Sequence, residues 1–167
     1  MATTELAVEL PLEDKEIIDL VANGVSVAQM VGLSDEKLEL LYALAYTQYQ
    51  AGNYSDSENI FRVLCLYDGT QERFWMGLAG SLQHEERFAE AAEIYSMACT
   101  MTGLTDPEPM YYAARCLLKD GRSDDAINAL DFIDIMGREG NAKDLEIKKN
   151  AKALIETLRS TKNENKS

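Results

Sequence analysis

A chain of 167 residues, 46% of them hydrophobic and with a formal charge of −13, is long enough for one domain with a real core. No apolar run approaches the roughly 18 residues that a membrane span requires. Such an acidic excess repels phosphate backbones and anionic lipid, so it argues against nucleic-acid and membrane-surface partners; solubility alone is a sufficient reason for it. The charge is uneven. Residues 143–167 hold seven Lys/Arg against four Asp/Glu, a net of +3, which leaves nine basic against 25 acidic groups, a net of −16, in residues 1–142.

The first stretch, MATTELAVELPLEDKE, has no basic segment followed by an apolar one, so no secretory leader is expected and the protein is placed in the cytoplasm. Between Glu13 and Ala22 the residues Ile17, Ile18 and Val21 fall on one helical face, and Asn23-Gly24 ends that segment. Ser26 to Val31 forms one more short helix or turn and leaves Val25, Val27, Met30, Val31 and Leu33 in need of cover. This N-terminal helical segment, residues 1–33, either caps the array that follows or pairs with a second copy of the chain. Ile17, Ile18 and Val21 are the dimerisation candidates.

From Leu38 the chain repeats. Setting Leu41, Leu44, Ala45, Tyr54, Phe61 and Leu64 against Trp75, Leu78, Ala79, Phe88, Tyr95 and Ala98 gives a constant offset of 34 residues, the tetratricopeptide period. A third copy follows at an offset of 35, with Met110, Ala113, Ala114, Gly121, Ala126 and Leu130 in the matching places. The expected fold is all-α: a helical solenoid of three tetratricopeptide repeats (38–71, 72–105 and 107–140, within 34–142), preceded by the N-terminal helices. A C-terminal capping helix at 143–159 and a disordered tail at 160–167 complete it.

Local signals mark the helix ends. Ser34, with Asp35 and Glu36, is a cap for the first helix of repeat one; Gly52 stops that helix, and Ser55 with Glu58 reads as a capping box for the next. In repeat two Thr70 is the expected cap and a second helix is expected from Phe88 to Met101, with Glu86 standing where the other repeats have Gly. Asp106-Pro107 opens repeat three, Gly121 with Ser123 repeats the stop-and-start signal, and Gly137 and Gly140 close the array. In the final helix Ile147, Ala151, Leu154, Ile155 and Leu158 lie on one side, as a cover for the last repeat requires.

No constellation for catalysis is present. His84 is the single histidine and reads first as a surface residue, then as a peptide contact; there is no Gly-rich phosphate loop, nucleophile elbow or HExxH motif. Cys65, Cys99 and Cys116 have no CxxC spacing and read as small core residues rather than reactive thiols. No enzyme activity, cofactor or metal site is expected, and the chain reads as a binder.

The binding face follows from the repeat. The first helix of each pair lines the inner curve, and its inner positions are Tyr42, Tyr46 and Tyr49 in repeat one, Met76, Gly80 and Gln83 in repeat two, and Tyr111, Arg115 and Leu118 in repeat three. Three tyrosines on one face offer contact area with few rotatable bonds, and Leu41, Leu44 and Ala45 are assigned to the core of the same helix. Gly80 leaves room for a ligand to approach, Met76 adapts to several apolar anchors, and Arg115 is the one basic group. The trough fits an extended apolar peptide. A generic repeat adaptor or co-regulator is the alternative, although a carboxylate clamp needs Lys, Arg and Asn where Tyr42 and Tyr46 stand.

The runs LYALAYTQYQAGNYSDSENIFRVLCLYD, MGLAGSLQ and AARCLLKDG resemble the class II, tetratricopeptide chaperones of bacterial type III secretion over about residues 13–137. The resemblance implies a cytoplasmic chaperone that holds an extended N-terminal segment of hydrophobic translocator proteins in its concave groove and keeps them soluble for export. It carries the role of groove aromatics onto Tyr42, Tyr46 and Tyr49, and more weakly onto Met76, Gly80 and Tyr111. It also implies a homodimer, when free, through the N-terminal helices.

Overall fold

The computed structural model describes Asn23 and residues 25–164; the expected helix carrying Ile17, Ile18 and Val21 lies outside the described residues. Within them the chain forms eight α-helices and one 3-10 turn and no strand. These are α1 (Val27–Met30), α2 (Asp35–Gln50), α3 (Tyr54–Tyr67), α4 (Glu72–His84), α5 (Phe88–Met101), α6 (Glu108–Lys119), α7 (Ser123–Phe132), the 3-10 turn Ile133–Ile135, and α8 (Ala142–Glu164). The pairs α2/α3, α4/α5 and α6/α7 are successive antiparallel hairpins, each packed on the next, and α8 closes the far end against α6 and α7.

The repeat period is visible in the turns. Gly52 and Gly121 take the left-handed conformation at φ +82° and +80°, and Glu86, the equivalent residue of the middle repeat, takes it at φ +61°. A side chain in that region meets the following carbonyl at a cost of about 1–2 kcal/mol, so the middle turn is held by the packing around it. The small residue that lets each second helix press on the first is Ser57, Ala91 and Ala126 in turn, all buried. Ser57 Oγ donates to the Ala45 carbonyl at 3.0 Å, and Ser81 Oγ lies 3.1 Å from it and 2.9 Å from the Gly77 carbonyl, so both buried hydroxyls are satisfied.

Several helix ends differ from the sequence expectation. Ser34 sits in the N-cap conformation but its hydroxyl makes no capping bond. Asn53, not Ser55, precedes α3, which moves Glu58 from a capping place to a buried one; there its carboxylate meets Arg62 at 2.6 Å and Arg87 at 2.8 Å, joining α3 to the start of α5. Gln71 is the N-cap of α4, and Thr70 turns back to Asp68 instead. Pro107 is the N-cap of α6, one residue later than expected, and Asp106 accepts from the Glu108 amide at 2.9 Å. Ser26 and Gln29 form a capping box on α1.

The core has two parts. The larger runs from Ala28 and Leu38 through Phe61, Leu64, Phe74, Leu78 and Leu82 to Tyr95 and Ala113. The smaller joins Ala114, Leu130 and Ile133 to Ile147, Ala151 and Ile155 of α8. Leu44, assigned to the core above, is 47% exposed, because α2 meets its neighbours through Leu41, Tyr42 and Ala45 instead. Cys65, Cys99 and Cys116 are buried free thiols, and burial pushes them up to about 12, 11 and 11, which leaves little reactive thiolate at neutral pH.

The last helix is longer than expected. The tail proposed as disordered from residue 160 continues as helix to Glu164, because Lys162 reaches Asp124 of α7 and Arg159 reaches Asp131 at 2.7 Å. At its other end Arg138 is gripped by the buried Asp144 at 2.7 Å and by Asp106 at 3.0 Å, which closes the loop before α8 onto the loop before α6.

Candidate peptide-binding groove

Six of the nine expected inner-face residues come together, and Tyr111, Arg115 and Leu118 do not join them. Tyr42, Tyr46 and Tyr49 from α2 and Met76, Gly80 and Gln83 from α4 line one open groove of about 430 Å³, which also takes in Phe61, Arg73, Gly77, His84, Tyr95, Glu108 and Tyr112.

The three tyrosines divide the work between core and groove. Tyr42 lies with its ring 5.9 Å from both Phe61 and Phe74, so it is partly a core residue, and it stacks on Tyr46 at 6.4 Å and 12°. Tyr46, 48% exposed, is the open ring. Tyr49 stands edge-on to Tyr54 at 5.5 Å and to His84 at 5.3 Å, while His84 stacks on Tyr54 at 4.4 Å and 9°. Burial, with help from Tyr54, holds the Tyr49 phenol above its ordinary value, so it remains a hydrogen-bond donor at neutral pH. These rings form an aromatic wall along α2 with His84 at its end.

The floor depends on glycines. A Cβ at Gly77 would stand 2.2 Å from Phe61 Cζ, so only a residue without a side chain lets that ring pass beneath α4. Gly80 has a different role from the one expected: the space over it is filled by Tyr49, whose ring and hydroxyl lie 3.4 Å from where a Cβ would be. Gly80 thus seats a groove ring rather than leaving a vacancy for ligand. Beside it Gln83 Oε1 accepts from the Tyr95 hydroxyl at 3.1 Å, and no described residue accepts from its amide nitrogen.

On α6 the structure departs from the expectation by one residue. Tyr111 packs on the smaller core under α8, and the groove-lining ring is Tyr112, stacked on Tyr95 at 5.3 Å. One residue is about 100° around a helix, and α8 covers the side that carries Tyr111. Arg115 lies beyond the groove's end, in an adjoining cavity that shares Gln83, with its guanidinium 5.8 Å over the Tyr112 ring.

Arg73 and Glu108 were missed, and repeat spacing is the signal that finds them. Glu39, Arg73, Glu108 and Lys143 stand at offsets of 34, 35 and 35, and as neighbours they pair: Glu39 with Arg73, and Glu108 with Lys143 at 2.6 Å. Arg73 also lies 4.8 Å over the Tyr42 ring, adding a cation to the aromatic wall. The same spacing shows that α8 occupies the place where a fourth repeat would put its first helix. Among the described residues no group of three or more His, Cys, Asp or Glu is arranged to hold a metal, and no helix is long and apolar enough to cross a membrane.

Stacked helical hairpins around an aromatic trough define a tetratricopeptide-type peptide binder, and comparison with known proteins agrees. The tetratricopeptide-repeat family matches residues 38–69 and 74–102. The low calcium response locus protein H of Yersinia pestis is 35% identical over 107 residues, 64% of this chain and 63% of that protein. The chain therefore spans under two thirds of the length of that curated relative. Among solved structures, the Yersinia enterocolitica type III secretion chaperone SycD in complex with a peptide of the translocator YopD superposes with a TM-score of 0.69 at 29% identity, covering 78% of this chain and 98% of that one. PcrH, a Pseudomonas aeruginosa protein, in complex with the chaperone-binding region of PopB, matches with a TM-score of 0.62 at 31% identity, covering 73% of this chain and 97% of that one. The chain belongs to the tetratricopeptide class of type III secretion translocator chaperones.

Proposed function

We propose that this protein is a bacterial cytoplasmic chaperone for hydrophobic translocator proteins of a type III secretion system. An extended segment near the client's N-terminus lies in the groove between α2, α4 and α6, and the bound client stays soluble and export-competent. The observation that carries this reading is the open trough in which Tyr46 and His84 are exposed and Tyr49, Met76 and Tyr112 are half-buried above the core. Related chaperones are seen with translocator peptides bound, SycD with YopD and PcrH with PopB and PopD.

The physics is that of a preformed cleft. Rings already seated by Phe61, Gly80 and Tyr54 lose little freedom on binding, so burial of apolar anchors goes into affinity without nucleotide hydrolysis. The acidic body keeps the loaded complex from associating. The free protein is a homodimer through its N-terminal helices, with Ile17, Ile18 and Val21 as the pairing residues.

The test is the double variant Tyr46→Ala/Tyr49→Ala. Tyr42 is left in place because it also supports the core. Far-ultraviolet circular dichroism should be unchanged, and co-purification with a co-expressed translocator should fall at least tenfold, two lost aromatic contacts being worth about 2 kcal/mol or more. Undiminished capture by that folded variant defeats the assignment.

A further inference from the structure

The groove continues past Gln83 into a smaller cavity lined by Phe88, Arg115, Cys116 and Lys119. Among the described residues, Arg62, Arg73, Arg87, Arg122, Arg138, Lys143, Lys152, Arg159 and Lys162 all pair with a carboxylate. Arg115 and Lys119 do not, and neither do Lys37, Lys148 and Lys149, but of these only Arg115 and Lys119 line a cavity that shares a residue, Gln83, with the groove. They stand four apart on α6, so both heads lie on one face, and the Arg115 guanidinium rests over Tyr112, which lines the groove proper. The other end of the same helix presents Glu108, already neutralised by Lys143. An exposed pair of like charges on one helical face is destabilising on its own, and a carboxylate from outside would relieve it.

We propose that Arg115 and Lys119 read a carboxylate on the bound segment, placed just beyond its apolar anchors, and that this contact sets the segment's direction in the groove. The inference rests on the peptide-groove reading above and adds to it a chemical requirement: an acidic group at one end of the client segment. The carboxylate is that of an Asp or Glu side chain, since a segment near the client's N-terminus has no free C-terminus; a gain by the free C-terminal carboxylate alone would overturn this reading. Arg115 supplies a planar fork and Lys119 a mobile point charge, a combination that accepts either geometry.

The experiment measures fluorescence anisotropy of the full chain with labelled twelve-residue peptides rich in Leu, Val and Pro. One is neutral with both termini blocked, two carry a single Asp near one end or the other, two carry Asn there instead, and one is neutral with a free C-terminal carboxylate. Expected is that the peptide with Asp at one end only binds three- to tenfold tighter than its neutral analogue. That advantage should vanish in Arg115→Gln/Lys119→Gln and in 0.5 M salt, while the neutral peptide binds the variant as it binds the wild type. Equal affinity of acidic and neutral peptides, or an advantage that survives in the double variant, overturns the charge reading and leaves the groove standing. If no peptide binds the wild type, the groove reading falls and this inference falls with it.

Discussion

The helices that build the groove, α2 to α5, and the unit that ends the chain, α6 to α8, belong to one repeat pattern but are held by different forces. The first region is closed by shape. Phe61 enters the gap over Gly77, Phe74 and Tyr42 close around it, and Tyr49 fills the place above Gly80. The second keeps a smaller apolar core and ties its last helix down with charges: Arg138 to Asp144 and Asp106, Lys143 to Glu108, Lys152 to Asp134, Arg159 to Asp131 and Lys162 to Asp124. A binding wall needs rings that do not move, which close packing provides; a terminal cover needs only to exclude water from one helix pair. The positive excess after residue 142 thus has a structural use, since the basic helix docks on an acidic body.

The contrast breaks most sharply at Phe61. Phe61→Ala should lower stability by about 3–5 kcal/mol in denaturant unfolding, because it empties the point where α2, α3 and α4 meet, and peptide binding should fail with it. Gly77→Ala attacks the same contact from the other side. A methyl group 2.2 Å from a fully buried ring forces a shift, and a loss of about 1–3 kcal/mol is expected despite the better helix propensity of alanine. A thermal scan that leaves this variant at or above the wild type would show that the ring has room to give.

The charge-held end is tested by acid. Arg138 holds the Asp144 carboxyl below its ordinary value of 3.8, so the stability it contributes is present above that value and is lost as pH falls through the lower folded one. Asp144→Asn should cost on the order of 1–2 kcal/mol at pH 7 and flatten the pH dependence of melting below pH 4, with hydrogen exchange in α8 rising before exchange in α4. Equal protection of both helices down that range would mean that the two regions unfold as one. The smallest effect expected is a gain: Glu86→Gly relieves the left-handed turn and should raise stability by up to about 1 kcal/mol, measured as a higher denaturant midpoint.

The tyrosines of α2 and their partners on α4 were legible because a period of 34 puts equivalent residues on equivalent faces, and hydrophobic size is kept at each. On α6 the same reasoning chose Tyr111 over Tyr112, since adjacent rings in the sequence look alike and only the docking of α8 decides which one is covered. Leu44 and Gly80 were misassigned for a related cause: a sequence position tells which side of a helix a residue is on, but not what another helix has already placed there. The Glu39–Arg73 and Glu108–Lys143 pairs follow the repeat spacing but occupy polar positions, which the periodicity of apolar residues does not mark.

By itself, then, the order of residues determined the all-helical array, its period, most of its turns and the aromatic face of its first repeat, because each of these depends on contacts within a repeat or between neighbours. Tertiary structure alone decided the burial of Glu58 beneath two arginines, the seat of Phe61 over Gly77, and the docking of α8 as a fourth first helix that turns Tyr111 inward and leaves Tyr112 in the groove. Those outcomes depend on which surfaces close against each other across the stack, and a linear pattern carries no record of the space that remains once they have closed.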